Sequence, residues 1–143
     1  MLIPRPVGPQ EIKAILQALA EADTVLIGGQ AINVWSCLYE RSDCEPWRSS
    51  RPYTSVDADA LADRAEMVRL ARLLERKGFE ITVQFPPTES DVAVNTGLIT
   101  VRTAAQELDV NLVHTPIGVS SQDIRTNAVA LEWEDVTLRL VHP

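Results

Sequence analysis

Apolar residues recur at helical spacing near the start of the chain. Ile12, Ile15, Leu16 and Leu19 fall on one face of a helix over 9–21, and Pro9 suits its first position. The run over 24–27 reads as a short buried strand, and Gly28-Gly29 as the turn after it. A second helix over 30–39 places Ala31, Val34, Trp35 and Leu38 on one face. Residues 41–53 show no period and carry two prolines, so they read as a loop, and a connection this long is commonly functional. A short apolar run over 56–61 reads as a strand, followed by a helix over 62–77 with Met67, Leu70, Ala71 and Leu74 as its stripe and Lys77-Gly78 as its stop.

The second half is rich in strand patterns. They cover 79–84, 98–102 and 107–113, the last with Leu108, Val110 and Leu112 facing one way and Glu107, Asp109 and Asn111 the other. A short helix over 120–127 is capped by Ser120 or Ser121, and strands over 128–133 and 136–141 flank a hairpin at Glu134-Asp135. This order predicts an α+β domain, with helices packed over a mixed β-sheet.

Composition narrows the class. The 143 residues suit a single domain, and 45% hydrophobic with 23% charged content is ordinary for a globular protein. No apolar run reaches the ~20 residues of a membrane helix, and the start lacks a signal-peptide core, so a cytoplasmic location is expected. The net charge of −7 argues against broad nucleic-acid binding but leaves room for a local basic patch, and Arg41, Arg48 and Arg51 cluster before the strand at 56–61. Cys37 and Cys44 form no CxxC motif, nothing points to secretion, and His114 and His142 are far from both, so neither a disulfide nor a zinc site is expected. The chain ends just after a predicted strand, which suggests a minimal or cut-down domain lacking a C-terminal extension.

The chemistry concentrates at Val56-Asp57-Ala58-Asp59-Ala60-Leu61. On a strand, Asp57 and Asp59 share one face, with Val56, Ala58 and Ala60 on the other. Two like charges so placed repel, and a hard divalent cation such as Mg²⁺ compensates them. Upstream, Gly28 and Gly29 let backbone approach a phosphate, and the helix after them offers free N–H groups and a positive dipole end. Each element also has a plain reading: a turn for the glycines, a solvated strand face for Asp57, Asp59 and Asp109. Arg41, Arg48 and Arg51 read as triphosphate clamps or as solvated side chains. Thr54 and Ser55 bind phosphate or begin the strand. Gln30 touches a nucleotide from the helix start or lies on the surface. Trp47 stacks a base or packs over the sheet, Trp35, Trp133 and Met67 read as core, and His114 as a satisfied edge histidine.

A strand running into Gly28-Gly29, a helix, and Asp57-x-Asp59 on the next strand together resemble the nucleotidyltransferase superfamily related to polymerase β. The run Gly28-Gly29-Gln30-Ala31, with Trp35, Tyr39 and Thr54-Ser55, is most similar to small bacterial members of the abortive-infection, toxin-like type. The resemblance covers roughly residues 10–115 and implies a nucleotidyltransferase-like fold. It implies one or two Mg²⁺ ions on Asp57, Asp59 and Asp109, the last as third acid, and a nucleoside triphosphate as substrate. It places Gly28, Gly29, Gln30, Thr54, Ser55 and Arg51 as substrate-binding residues. The implied reaction moves a nucleoside monophosphate to a hydroxyl on a small molecule, an RNA end or a protein by a two-metal scheme. The alternative is a catalytically inactive domain of the same fold, acting as a regulatory or toxin–antitoxin partner in a homodimer or hetero-complex. Two departures stand out: the long gap between Gly29 and Asp57, and Gln30 where many members carry a small hydroxyl residue.

Overall fold

The computed structural model describes residues 6–41, 55–86, 94–103, 107–116 and 118–141. These form an α+β domain: a seven-stranded mixed sheet with four α-helices. A 3₁₀ turn (Pro9–Ile12) leads into α1 (Lys13–Glu21), and β1 (Val25–Ile27) runs straight into α2 (Gly28–Arg41). Then come β2 (Asp57–Leu61), α3 (Arg64–Arg76), β3 (Glu80–Gln84), β4 (Asn95–Arg102), β5 (Glu107–Val113), α4 (Ser121–Asn127), β6 (Val129–Trp133) and β7 (Val136–Leu140). The strand order is β3-β4-β5-β2-β1-β7-β6. The β2/β5 and β1/β7 pairs are parallel, and the other four are antiparallel.

The periodicities explain the layers. Ile15, Leu16 and Leu19 of α1 and Met67, Leu70 and Leu74 of α3 are buried with Ala58, Ala60, Val110 and Leu112 of the sheet. Alanines at 58 and 60 have little side chain to hold a neighbour away. A smaller cluster of Val25, Leu61 and Ile124 seats α4 at the sheet. The opposite face of β2 and β5 carries Asp57, Asp59 and Asn111, half-buried, and Asp109, exposed. Glu134 and Asp135 both adopt positive φ, 48° and 67°, in the β6–β7 hairpin turn. That pairing matches the twist of a two-residue hairpin.

Helix α3 is fixed at its start. The Asp63 carboxylate accepts from the Glu66 N–H at 2.8 Å, and the Glu66 carboxylate accepts from the Asp63 N–H at 2.8 Å, a reciprocal cap. Arg125 of α4 forks onto the same Glu66 at 2.6 and 3.1 Å. One carboxylate thus caps one helix and anchors another.

Several boundaries differ from the sequence expectation. Gly28-Gly29 is not a turn ahead of the helix but its first two residues. Gly28 has φ +67°, so the chain pivots within one residue. Val56 does not share the buried side with Ala58 and Ala60: it precedes the strand and is half exposed. The main chain at Ser55 is tied to Val7 by paired N–H···O bonds of 2.9 and 3.0 Å, which places Val56 in a bend before the β2–β5 ladder begins. Strand β4 starts three residues earlier than its apolar pattern, because Gly97 and a register shift beside it break the alternation.

Glu66→Ala removes a cap bond and leaves Arg125 without its carboxylate. Urea unfolding followed by the fluorescence of buried Trp133 is expected to show a loss of about 2–3 kcal/mol for Glu66→Ala, against about 1 kcal/mol for Asp63→Ala.

Candidate functional site

The site is built where β1 meets α2. Ile27 pairs with Asp59 across the β1/β2 ladder, so the next residue, Gly28, lies against the Asp59 side chain. A Cβ on Gly28 would stand 2.6 Å from Asp59 Oδ2, and one on Gly29 would stand 2.5 Å from Ser55 Oγ. Both glycines are therefore close-approach positions, and Gly28 also needs its left-handed φ.

A buried amide network holds this junction. Gln30 is fully buried, and its Nε2 donates to the carbonyl of Val7 at 3.2 Å. Asn33 Nδ2 donates to Gln30 Oε1 at 3.2 Å and to Ser55 Oγ at 3.0 Å. Gln30 is thus neither a surface residue nor open to solvent: its amide joins α2 to the segment before β2. The Ser55 side chain is likewise part of the scaffold.

On the strands, Asp57 is in register with Asp109, and Asp59 with Asn111. Asp57 and Asp59, two apart, share a face as the sequence predicted. Burial raises the Asp59 pKa from its ordinary value, the charge of Asp57 raises it further, and a hydrogen bond from Asn111 opposes the rise. Asn111 Nδ2 also donates to Asp57 Oδ2 at 3.3 Å. Asp109 lies beside Asp57 in the ladder, but its Oδ1 accepts from Thr100 Oγ1 at 2.9 Å on the far side.

The donor set suits a hard cation in its chemistry: two acidic oxygen ligands with an under-compensated charge, and an amide beside them. Asp57 and Asp59 are the residues that would hold it. Among the described residues, no three His, Cys, Asp or Glu side chains come together as a metal-holding group. Asp109 therefore shares the face without closing such a cluster.

Of the other residues singled out in the sequence, Arg51, Thr54, Arg48, Trp47 and Cys44 lie outside the described residues. Arg41 ends α2. His114 Nδ1 lies 2.8 Å from Thr115 Oγ1. Trp133 and Met67 are core, while Trp35 is half-buried and donates from its indole to the carbonyl of Val141 at 3.1 Å. Sequence reasoning put Asn111 on the polar side of its strand but missed its bond to Asp57, which needs the β2/β5 register. It also missed Asn33, whose only signal is a polar side chain three residues from Gln30 on one helix.

No protein-family model and no curated protein matches the chain. Among the described residues, no helix is long and apolar enough to cross a membrane.

Two outcomes follow from this geometry. Gly28→Ala forces a side chain into left-handed backbone and against Asp59, and chemical denaturation is expected to show a loss of about 2 kcal/mol or more. Asp59 has a folded pKa above its unfolded value, so its ionisation weakens the fold. The relative advantage of the protonated form is complete below the unfolded pKa and is lost as pH rises through the folded one. Asp59→Asn is therefore expected to raise Tm at pH 7, with the gain shrinking as pH falls through the carboxylate range, measured by thermal melts in metal-free buffer.

Proposed function

We propose that this domain has a nucleotidyltransferase-like fold and is a metal-dependent nucleotidyltransferase whose chemistry rests on Asp57 and Asp59. The observation that carries the reading is the approach of Gly28 to the Asp59 carboxylate, 2.6 Å from where a Cβ would sit. It brings the N-terminal N–H groups of a 14-residue helix next to a pair of acids on one strand face. A helix start favours phosphate, and an acid pair favours a divalent cation. The two preferences meet in a metal-bound polyphosphate. The order of strand, glycine pair, helix and Asp-x-Asp strand, with Asp109 on the neighbouring parallel strand, supports the same reading.

Bound there, one or two Mg²⁺ ions would supply Lewis-acid polarisation of phosphoryl oxygens and charge to balance departing pyrophosphate. Asp57 and Asp59 would hold the ions through their carboxylate oxygens, and the Asn111 amide orients Asp57. Gly28 and Gly29 begin α2, whose first-turn N–H groups would meet the nucleotide's phosphates. On this reading the acceptor's proton goes to Asp109, which is in register beside Asp57. The acceptor oxygen bonds to the α-phosphorus, the bond to pyrophosphate breaks, and the nucleoside monophosphate passes to the acceptor hydroxyl.

Calorimetric titration with each nucleoside triphosphate in the presence and absence of Mg²⁺ tests this reading. The native protein is expected to bind at least one nucleotide in a Mg²⁺-dependent way, with an affinity at least about tenfold above that of the Asp57→Asn/Asp59→Asn double variant, since two ligand charges are lost. Identical titrations of the two proteins would end the proposal.

A further inference from the structure

The chain carries net charge −7, yet α3 presents four arginines to solvent: Arg64, Arg69, Arg72 and Arg76. They line one concave side of the helix, around the half-exposed Val68. From first to last they span about 18 Å at the helical rise of ~1.5 Å per residue. Arg69 pairs with Asp23 at 2.9 Å, with both side chains largely exposed, a contact of little energetic weight. Among the described residues, Arg64, Arg72 and Arg76 form no ion pair. Of the acids in this segment, Asp63 and Glu66 are spent on the helix cap and on Arg125, leaving Glu75.

The row does not end in solvent. The Arg64 guanidinium lies 4.4 Å above the ring centroid of Phe85, which is 47% exposed just past β3. Phe85 also lines a shallow pocket of about 220 Å³ with the amides Gln84, Asn95 and Asn111. A line of guanidinium groups thus leads to an aromatic ring and then to a pocket of mixed lining, in which Leu98 and Leu112 stand beside the amides.

We propose that this surface binds single-stranded nucleic acid. Guanidinium forks match phosphate oxygens bidentately, and an exposed ring beside a cationic track is the arrangement on which an unpaired base stacks. Amide side chains can both donate to and accept from a base edge. An acidic peptide would use the arginines but not the ring or the amide pocket. A duplex would keep its base faces hidden from Phe85. The arginine row and Phe85 play no part in the transferase reading, though the pocket at the end of the track borders it through Asn111.

Fluorescence anisotropy with a labelled single strand of about 12 nucleotides, as RNA and as DNA, tests it without metal or nucleotide, so its failure and that of the transferase proposal are separate results. The native chain is expected to bind at about 50 mM salt and to weaken steadily toward about 200 mM. Arg72→Ala/Arg76→Ala is expected to flatten the plot of log K against log salt by about 1.4, from ~0.7 per lost phosphate contact. Phe85→Ala is expected to weaken binding about fivefold or more while leaving that slope unchanged. All three positions are exposed, and circular dichroism checks that the variants fold. No binding by the native chain, variants indistinguishable from it, or displacement by polyglutamate as effective as by unlabelled strand would each overturn the proposal.

Discussion

A carboxylate pressed against a glycine main chain is the constraint around which this domain is arranged. Asp59 sits on a strand whose other face is buried, and its neighbour on the exposed side is another aspartate. Burial and like charge both disfavour ionisation, and only an amide hydrogen bond works against them. The fold holds this unfavourable pair because stability comes from elsewhere: the apolar layer beneath Ala58 and Ala60, and the helix anchors at Glu66. Strain of this kind persists where the surrounding structure over-determines the geometry.

The over-determination is visible in the amide and hydroxyl side chains around the glycines. Gln30, Asn33 and Ser55 form a satisfied polar network between α2 and the chain entering β2. Such networks are sensitive to small displacements because a buried donor that loses its partner has no water to replace it. This one fixes where Gly29 passes Ser55, and so where α2 begins.

Much of the architecture was legible because helices and strands leave local periodic marks. The stripe of Met67, Leu70 and Leu74, the alternation of Leu108, Val110 and Leu112, and the Ser120 cap all depend on residues a few positions apart. The face shared by Asp57 and Asp59 was readable for the same reason. What could not be read is non-local. Nothing within residues 107–113 tells that Asp109 lies beside Asp57 or that Asn111, 54 residues from it in sequence, reaches it, because those facts belong to a parallel register between distant segments. Gln30 shows the opposite failure: a polar residue at a helix start looks like surface, and only the approach of Val7 buries it. Gly28-Gly29 was read as a turn because glycine pairs usually are; here one positive φ does the work of a whole loop.

The pairing of β1 has a consequence for how the chain becomes a protein. On one side β1 is flanked by β2, some 30 residues downstream, but on the other by β7, where Leu26 meets Leu140 and the Val141 N–H donates to the Leu26 carbonyl at 3.0 Å. During synthesis from the N-terminus, the strand that delivers Gly28 to Asp59 must therefore wait with an open edge until the last described strand emerges. Long-range parallel pairing is slow to form and exposes sticky edges meanwhile. A nascent chain of this type is most vulnerable just before β7 emerges, when an interior strand of the sheet still lacks one neighbour.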